Sequence, residues 1–349
     1  MRPIYSTWLA DNYPADTGDI IAAYKPTPYY RSHIVLPDGY SVNSTVTSYD
    51  GERHFALYAT GEHTPDREYD LIVVIPGHAG RPYNPTTGLG DIQKLVDGLA
   101  TDCYRDLTDV IFLGIYGDIQ DPNLPIGTGD YTGFDITVNI NKGVKRFIRD
   151  IIGKIRSKYR INSISLHCLS NGSALANVMC AEFEMNISSI VLNSGSPVVG
   201  WVHTHNRPYN VLSLHGVDDG VVPIDGGYSP HEGLDVTFVS AEDEFETWCE
   251  HNENVATITY NETPELNNVL EKTRRDTRSV VRYLKVPDPY PTDIEVGAEY
   301  GTHGLPDLDN VICPDGAYNP PSQPLQECNT TVYPCFLQQY VFDFIMDNR

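Results

Sequence analysis

The sequence predicts an α/β fold: a mainly parallel central sheet flanked by helices on both faces, a three-layer αβα sandwich. Three observations carry the prediction. Leu71-Ile-Val-Val-Ile75 is a continuous apolar run of strand length, the pattern of a central strand buried on both faces. Ile164-Ser-Leu-His-Cys-Leu-Ser170-Asn-Gly-Ser173 reads as a buried strand that turns sharply on a serine into a helix, Ala174 to Cys180. From Val110 onward, strand-like and helix-like segments alternate, as they do where parallel strands are joined by helical crossovers.

The elements follow in chain order. Residues 1–30 are rich in Tyr, Pro and Asp and read as an irregular extension. Residues 31–349 read as a single domain, with a Cys- and Pro-rich insertion at about 306–334. Strand-like alternation occupies 32–36, 40–49 and 54–60, followed by the central strand at 71–75. A helix is expected over 91–107 and a strand over 110–115. Ile140, Val144, Phe147, Ile148, Ile151, Ile152 and Ile155 recur at helical spacing in the most basic segment of the chain, which predicts an amphipathic helix with a solvated charged face. Strands follow at 190–193, 211–214 and 293–299, with a further insertion at 288–291, and residues 335–346 suit a terminal helix.

The turn at Ser170 points to chemistry. A passage from strand to helix this abrupt strains the serine backbone, demands small neighbours and leaves a hydroxyl at a helix N-terminus. Downstream, the strand at 211–214 runs into His215-Gly-Val-Asp-Asp219-Gly-Val-Val-Pro223, and the strand at 293–299 into Tyr300-Gly-Thr-His303-Gly-Leu-Pro306. A serine, an aspartate and a histidine thus follow three strand ends, and in open α/β sheets ligands bind outside the carboxyl ends of the strands. Asp218 and Asp225 remain alternatives to Asp219, and His215 to His303. Cys168 stands close to Ser170 but occupies a turn position rather than the nucleophile's. His203-Thr-His205 has a metal-ligand spacing with no Cys or acid nearby to complete a site, so no metal and no cofactor is expected.

At these residues the chain resembles the α/β-hydrolases that include polyhydroxyalkanoate (polyhydroxybutyrate) depolymerases and feruloyl esterases. The matching segments are Pro76-Gly77-His78, Cys168-Leu-Ser-Asn-Gly172, His215 to Pro223 with Gly226-Gly227 beyond it, and Thr302-His303-Gly-Leu-Pro306. The similarity runs from roughly residue 50 to residue 306 and departs at three places: Pro76 stands for a histidine, Cys168 for a glycine and Leu305 for a tryptophan. The resemblance implies an α/β-hydrolase fold and a carboxylic ester hydrolase working through an acyl-enzyme. Ser170 would be the nucleophile, His303 the base and Asp219 the group that orients it, with the backbone N–H groups of His78 and Asn171 as oxyanion donors. A serine peptidase on the same fold, or a binding protein that inherited it, are the competing readings.

Composition limits the partners. The 349-residue chain is 40% hydrophobic, enough for a large core, and carries 47 acidic against 24 basic side chains, a formal charge of -23. No cationic stripe interleaved with aromatics appears, which argues against nucleic acid and anionic membrane surfaces. No apolar run approaches the roughly 18 residues of a membrane span, and Met1-Arg-Pro-Ile-Tyr5 shows no signal-peptide core. Cys313, Cys328 and Cys335 crowd the proline-rich insertion, where disulfides would help, and Cys249 is a candidate partner; this pattern favours a secreted protein. Cys168 and Cys180 read as buried thiols. The expected substrate is a small or oligomeric ester: a feruloyl or acetyl group on plant polysaccharide, or a short hydroxyalkanoate polyester. Tyr83, Tyr116, Tyr131 and Trp201 are expected to rim the site, with Leu305 lining the acyl pocket.

Overall fold

In a computed structural model, the described residues are 40–42, 46–48, 51–53, 55–59, 66–77, 109–115, 118–119, 131–132, 142–182, 186–199, 207–229, 236–252, 259–263, 269–275, 278–286 and 333–349. The extension at 1–30, the helix expected over 91–107, the strand expected over 293–299 and the insertion residues 306–332 lie outside them. The chain divides into two compact units, residues 1–175 with 183–188 and 349, and residues 176–182 with 189–348.

The first unit holds β1 (Tyr40–Val42), β2 (Val46–Ser48), β3 (Gly51–Arg53), β4 (Phe55–Ala59), β5 (Glu68–Ile75), β6 (Val110–Ile115), β7 (Asp118–Ile119), β8 (Tyr131–Thr132), α1 (Lys142–Lys158) and β9 (Arg160–Leu169). The start of α2 (Asn171–Glu182) belongs to it as well. Its sheet runs β1-β4-β6-β5-β9, with β5 parallel to both neighbours and β4 and β1 antiparallel at the edge. All of β5 beyond its first residue is buried, as is all of β6, which is why both read as unbroken apolar runs. Helix α1 buries Ile148, Ile151, Ile152 and Ile155 and exposes Arg149 and Arg156, the amphipathic division expected of it. At the start of β5, Asp70 accepts hydrogen bonds from Ser163 Oγ at 2.6 Å and Asn162 Nδ2 at 3.1 Å and pairs with Arg349 at 2.9 Å. These bonds tie the last residue of the chain to the base of this sheet.

The topology marks a place for a ligand. The strand that follows β5 in this sheet, β6, lies on one side of it, and the next, β9, on the other. The strand order therefore reverses at β5, and the carboxyl ends of β5 and β9 flank the crevice where open α/β sheets bind ligands.

The second unit holds the rest of α2, then β10 (Ser189–Asn193), β11 (Asn210–Gly216), β12 (Gly227–Tyr228), β13 (Thr237–Phe238), α3 (Ala241–His251), β14 (Thr259–Thr263), β15 (Val269–Arg275), β16 (Val280–Val286) and α4 (Tyr333–Asp347). Its strands run β10-β11-β16-β15-β14, parallel as far as β16 and antiparallel beyond. Helix α3 starts on Ser240, whose Oγ accepts from Asp243 N–H at 3.0 Å, with Glu242, Asp243 and Glu244 complementing the helix dipole. Parallel buried strands joined through helices make this a mainly parallel α/β protein.

One cysteine expectation is corrected. Cys249 is a free, buried thiol on α3 beside Trp248 and joins no disulfide, and burial pushes its pKa up to about 12. Cys168 and Cys180 are buried thiols, as expected. Cys313 and Cys328 lie outside the described residues, and Cys335 falls in α4.

Candidate active site

The turn between β9 and α2 is a single residue. Strand β9 ends at Leu169, α2 begins at Asn171, and Ser170 between them has φ 51°. A side-chain-bearing residue in the left-handed region is strained by roughly 1–2 kcal/mol, and such strain persists only where the surroundings enforce it. Here they do. Ser170 O accepts from Ser173 N–H at 2.9 Å and Ala174 N–H at 3.2 Å, so the serine caps the helix it starts.

The neighbouring glycines are required by the packing. A Cβ on Gly172 would fall 2.3 Å from Ile75 O and 2.7 Å from Pro76 O, so α2 meets the end of β5 through bare backbone. A Cβ on Gly77 would fall 2.9 Å from Ser170 Cβ, which brings the loop leaving β5 against the serine. Ser170 thus stands at the carboxyl ends of the two strands that flank the order reversal. Cys168, expected at the turn, instead lies within β9, opposite Ile75 in the register of β5 and β9, and is fully buried.

In the second unit, the loop after β11 separates the three candidate acids by burial. Asp218 and Asp225 are exposed, whereas Asp219 is buried and its Oδ1 accepts from Val221 N–H and Val222 N–H, both at 2.8 Å. Two backbone donors on one oxygen fix the carboxylate and leave Oδ2 turned toward His215, whose Nε2 is 3.4 Å away. The same Nε2 lies 2.7 Å from Val222 O. A carbonyl only accepts, so the proton sits on Nε2 and the ring braces the acid loop. Ser229 Oγ adds a bond to Val221 O at 2.7 Å.

Two features escaped the sequence reading. Ser194, after β10, also has positive φ, 47°, at the start of the small-residue run Ser194-Gly-Ser-Pro197. Glu244 on α3 is buried, accepts from Asn177 Nδ2 at 2.8 Å, and lies 3.4 Å from Ser213 Oγ. Burial pushes its carboxyl up to about 7, against the opposing pull of Asn177, His215 and Ser213. An acid in the first turn of a helix ordinarily faces water, so nothing in its spacing marked it. Among the described residues no group of three or more His, Cys, Asp or Glu side chains is arranged to hold a metal. His303, His78, Tyr83, Tyr116, Trp201 and Leu305 lie outside the described residues, and Tyr131 falls in β8.

No known protein family matches the chain, and no curated protein does. Among solved structures it is similar to a thermostable esterase at 19% identity and TM-score 0.42, over 62% of this chain and 52% of that one. A serine hydrolase without a lid from Xanthomonas campestris is similar at 15% identity and TM-score 0.36, over 73% and 86% of the two chains. An acylaminoacyl peptidase from Pyrococcus horikoshii is similar at 11% identity and TM-score 0.37, over 54% of this chain and 34% of that one. The chain spans about half the length of the thermostable esterase. Likeness at this level identifies neither a substrate nor a reaction.

Proposed function

We propose that the protein is a serine hydrolase that cleaves carboxylic esters through an acyl-enzyme on Ser170. The observation that carries the reading is the strained elbow: a serine at φ 51° between a buried strand and a helix, with Gly77 and Gly172 packed so closely that only glycine fits. Strain of this kind persists where function uses it, and the resemblance of the surrounding motifs names the use.

In this reading Ser170 Oγ attacks the ester carbonyl carbon while His303 takes its proton. Asp219 orients the imidazole and stabilises the imidazolium, a role suited to a buried carboxylate fixed by two backbone donors. The tetrahedral oxyanion is held by the N–H of Asn171 at the helix start and that of His78. Collapse expels the alcohol, which takes the proton from His303; water then repeats the sequence on the acyl-enzyme and releases the acid. The proposed substrates are feruloyl- or acetyl-type esters or short hydroxyalkanoate oligomers, with Tyr83, Tyr116, Trp201 and Leu305 as the contacting side chains. Secretion remains part of the proposal.

The test is labelling with a fluorophosphonate alongside hydrolysis of p-nitrophenyl acetate, p-nitrophenyl butyrate, methyl ferulate and a peptide anilide. The expected outcome is label on Ser170, ester hydrolysis that exceeds anilide hydrolysis, and loss of both label and turnover in Ser170→Ala with an unchanged melting temperature. Faster anilide cleavage would make the protein a peptidase. A folded protein that neither labels nor turns over would be a binding protein on a hydrolase fold.

A further inference from the structure

We propose that Val199, Thr237 and Tyr228 form the contact surface for an uncharged aromatic or aliphatic alcohol group of the ester substrate. The inference rests on the proposed ester hydrolase with Asp219 as its acid, and deepens it by naming the substrate group held beside the acid loop.

The surface lies on the β12–β13 ribbon in the second unit, which the segment Val198-Val199 extends on the β13 side. Val198 bridges Phe238 in antiparallel sense, Val199 N–H donates to Thr237 O at 2.8 Å, and Val239 N–H donates to Pro197 O at 2.8 Å. Side chains directly opposite one another across antiparallel strands share a face. One row is therefore Val199, Thr237 and Tyr228, and the row beside it carries Phe238, which is buried. The first row faces solvent. Val199 is 55% and Tyr228 63% exposed, the two exposed large hydrophobic side chains among the described residues, and Thr237 between them is exposed as well. Single apolar side chains on a surface need no explanation, whereas two in one row of three make a patch. Gly226 holds the register: at φ 73°, with a prospective Cβ 2.6 Å from Ser240 N and 2.9 Å from Phe238 O, only glycine lets β12 close on β13.

The place of the ribbon argues for its occupant. It is formed by chain leaving the carboxyl ends of two parallel strands, β10 through Ser194 to Pro197 and β11 through the acid loop, the side on which open α/β sheets bind ligands. It is also fastened to the acid. Val221 N–H donates to Asp219 Oδ1 at 2.8 Å, and Val221 O accepts from Ser229 Oγ, the residue after Tyr228, at 2.7 Å. The acid supports the histidine that hands its proton to the departing alcohol, so a surface carried by the acid loop serves the alcohol rather than the acyl group. Size argues against a protein partner: the row offers on the order of 300 Å² of contact, against roughly 800 Å² on each side of a stable interface. Charge narrows the choice further. Asp218 and Asp225 are exposed in the loop that leads into β12, and the chain carries a formal charge of -23, so an anionic group is repelled and a neutral one admitted.

The test compares benzyl acetate with methyl acetate, which share an acyl group and differ in the alcohol, in wild type, Tyr228→Ser and Val199→Ser. Both side chains are exposed, so neither substitution empties the core. The expected result is that the ratio of kcat/KM for benzyl acetate to that for methyl acetate falls by about tenfold in Tyr228→Ser and by a smaller factor in Val199→Ser. An unchanged ratio in both variants overturns the proposal. So does a ratio that is unchanged for the acetates but lowered for methyl ferulate against methyl acetate, which would give the surface to the acyl group. A wild-type dimer in sedimentation equilibrium that Tyr228→Ser dissociates would place a second copy of the chain on the row, again against the proposal. A binding measurement in Ser170→Ala, which cannot form the acyl-enzyme, follows the Tyr228 ring and Val199 methyl signals during titration with benzyl acetate; both should shift, and an absence of shift overturns the proposal. Should a fluorophosphonate leave Ser170 of the folded wild type unlabelled, the hydrolase reading fails, and the binding measurement still decides whether the row holds an aromatic group.

Discussion

The same substitution should have opposite effects at two glycines of this chain. At Gly172 an added Cβ falls 2.3 Å from Ile75 O, 2.7 Å from Pro76 O and 2.9 Å from Ile75 C, all of them backbone atoms at the end of a buried strand. Reaching the 3.4 Å of ordinary contact requires the start of α2 to retreat from β5 by about 1.1 Å. Neither element is free to move, since Ile75 is held in register with Cys168 of β9 and Ser170 caps the helix. Overpacking of a core costs about 1–3 kcal/mol, and against rigid backbone the upper end applies; the helical preference of alanine offsets roughly 1 kcal/mol of it. Gly153 lies inside α1 with nothing within 4 Å of its prospective Cβ, so Gly153→Ala should stabilise by about 0.5–1 kcal/mol. Equilibrium urea unfolding of both variants reads the difference as a midpoint shift at constant slope. Turnover by Gly172→Ala should fall by on the order of a hundredfold, because Ser170, the proposed nucleophile, moves with the helix. A Gly172→Ala protein as stable as wild type would refute the close packing of α2 on β5 from which the elbow is argued.

Two further predictions concern strain and burial. Ser170→Gly should be more stable than Ser170→Ala by roughly 1 kcal/mol, since both lose the hydroxyl but only glycine adopts φ 51° without penalty; equal unfolding midpoints would deny the strain. His167 on β9 is buried with an unpartnered Nε2, and desolvation lowers its ring from 6.5 to about 4. Its folded pKa is depressed, so its contribution to stability is fully present above 6.5 and is lost as pH falls toward 4, at up to about 1.4 kcal/mol per unit. The ring proton signals of His167 should not move between pH 7 and 5.5, and a midpoint near 6.5 would refute its burial as a neutral group.

Segments whose environment is uniform were legible. β5 and β6 are buried along nearly their whole length, so apolar residues fill every position, and α1 shows its inner face as isoleucines at helical spacing. β15, VLEKTRR, lies between two antiparallel partners yet carries Glu271, Lys272, Arg274 and Arg275, and nothing in its polarity marked a strand. Helix α3 was missed although Ser240 and the acids after it form a helix-start signature, because its buried residues are too few to stand out as a stripe. The first four residues of β9 are Arg160, Ile161, Asn162 and Ser163, polar enough to shorten the strand as read from sequence.

The sequence by itself determined the α/β class, the serine on its strand-to-helix turn and the loop that carries Asp219, because each depends on local pattern: apolar runs, small residues at a sharp bend, and polar residues grouped after a strand. Only the tertiary structure decided that Gly172 must be glycine, that Asp219 is buried while Asp218 and Asp225 face water, and that Glu244 lies under the strand bearing His215. Neighbouring carboxylates are chemically alike in a chain. What separates them is which one folding removes from water and which donors it meets there, and those donors come from parts of the chain that spacing does not connect.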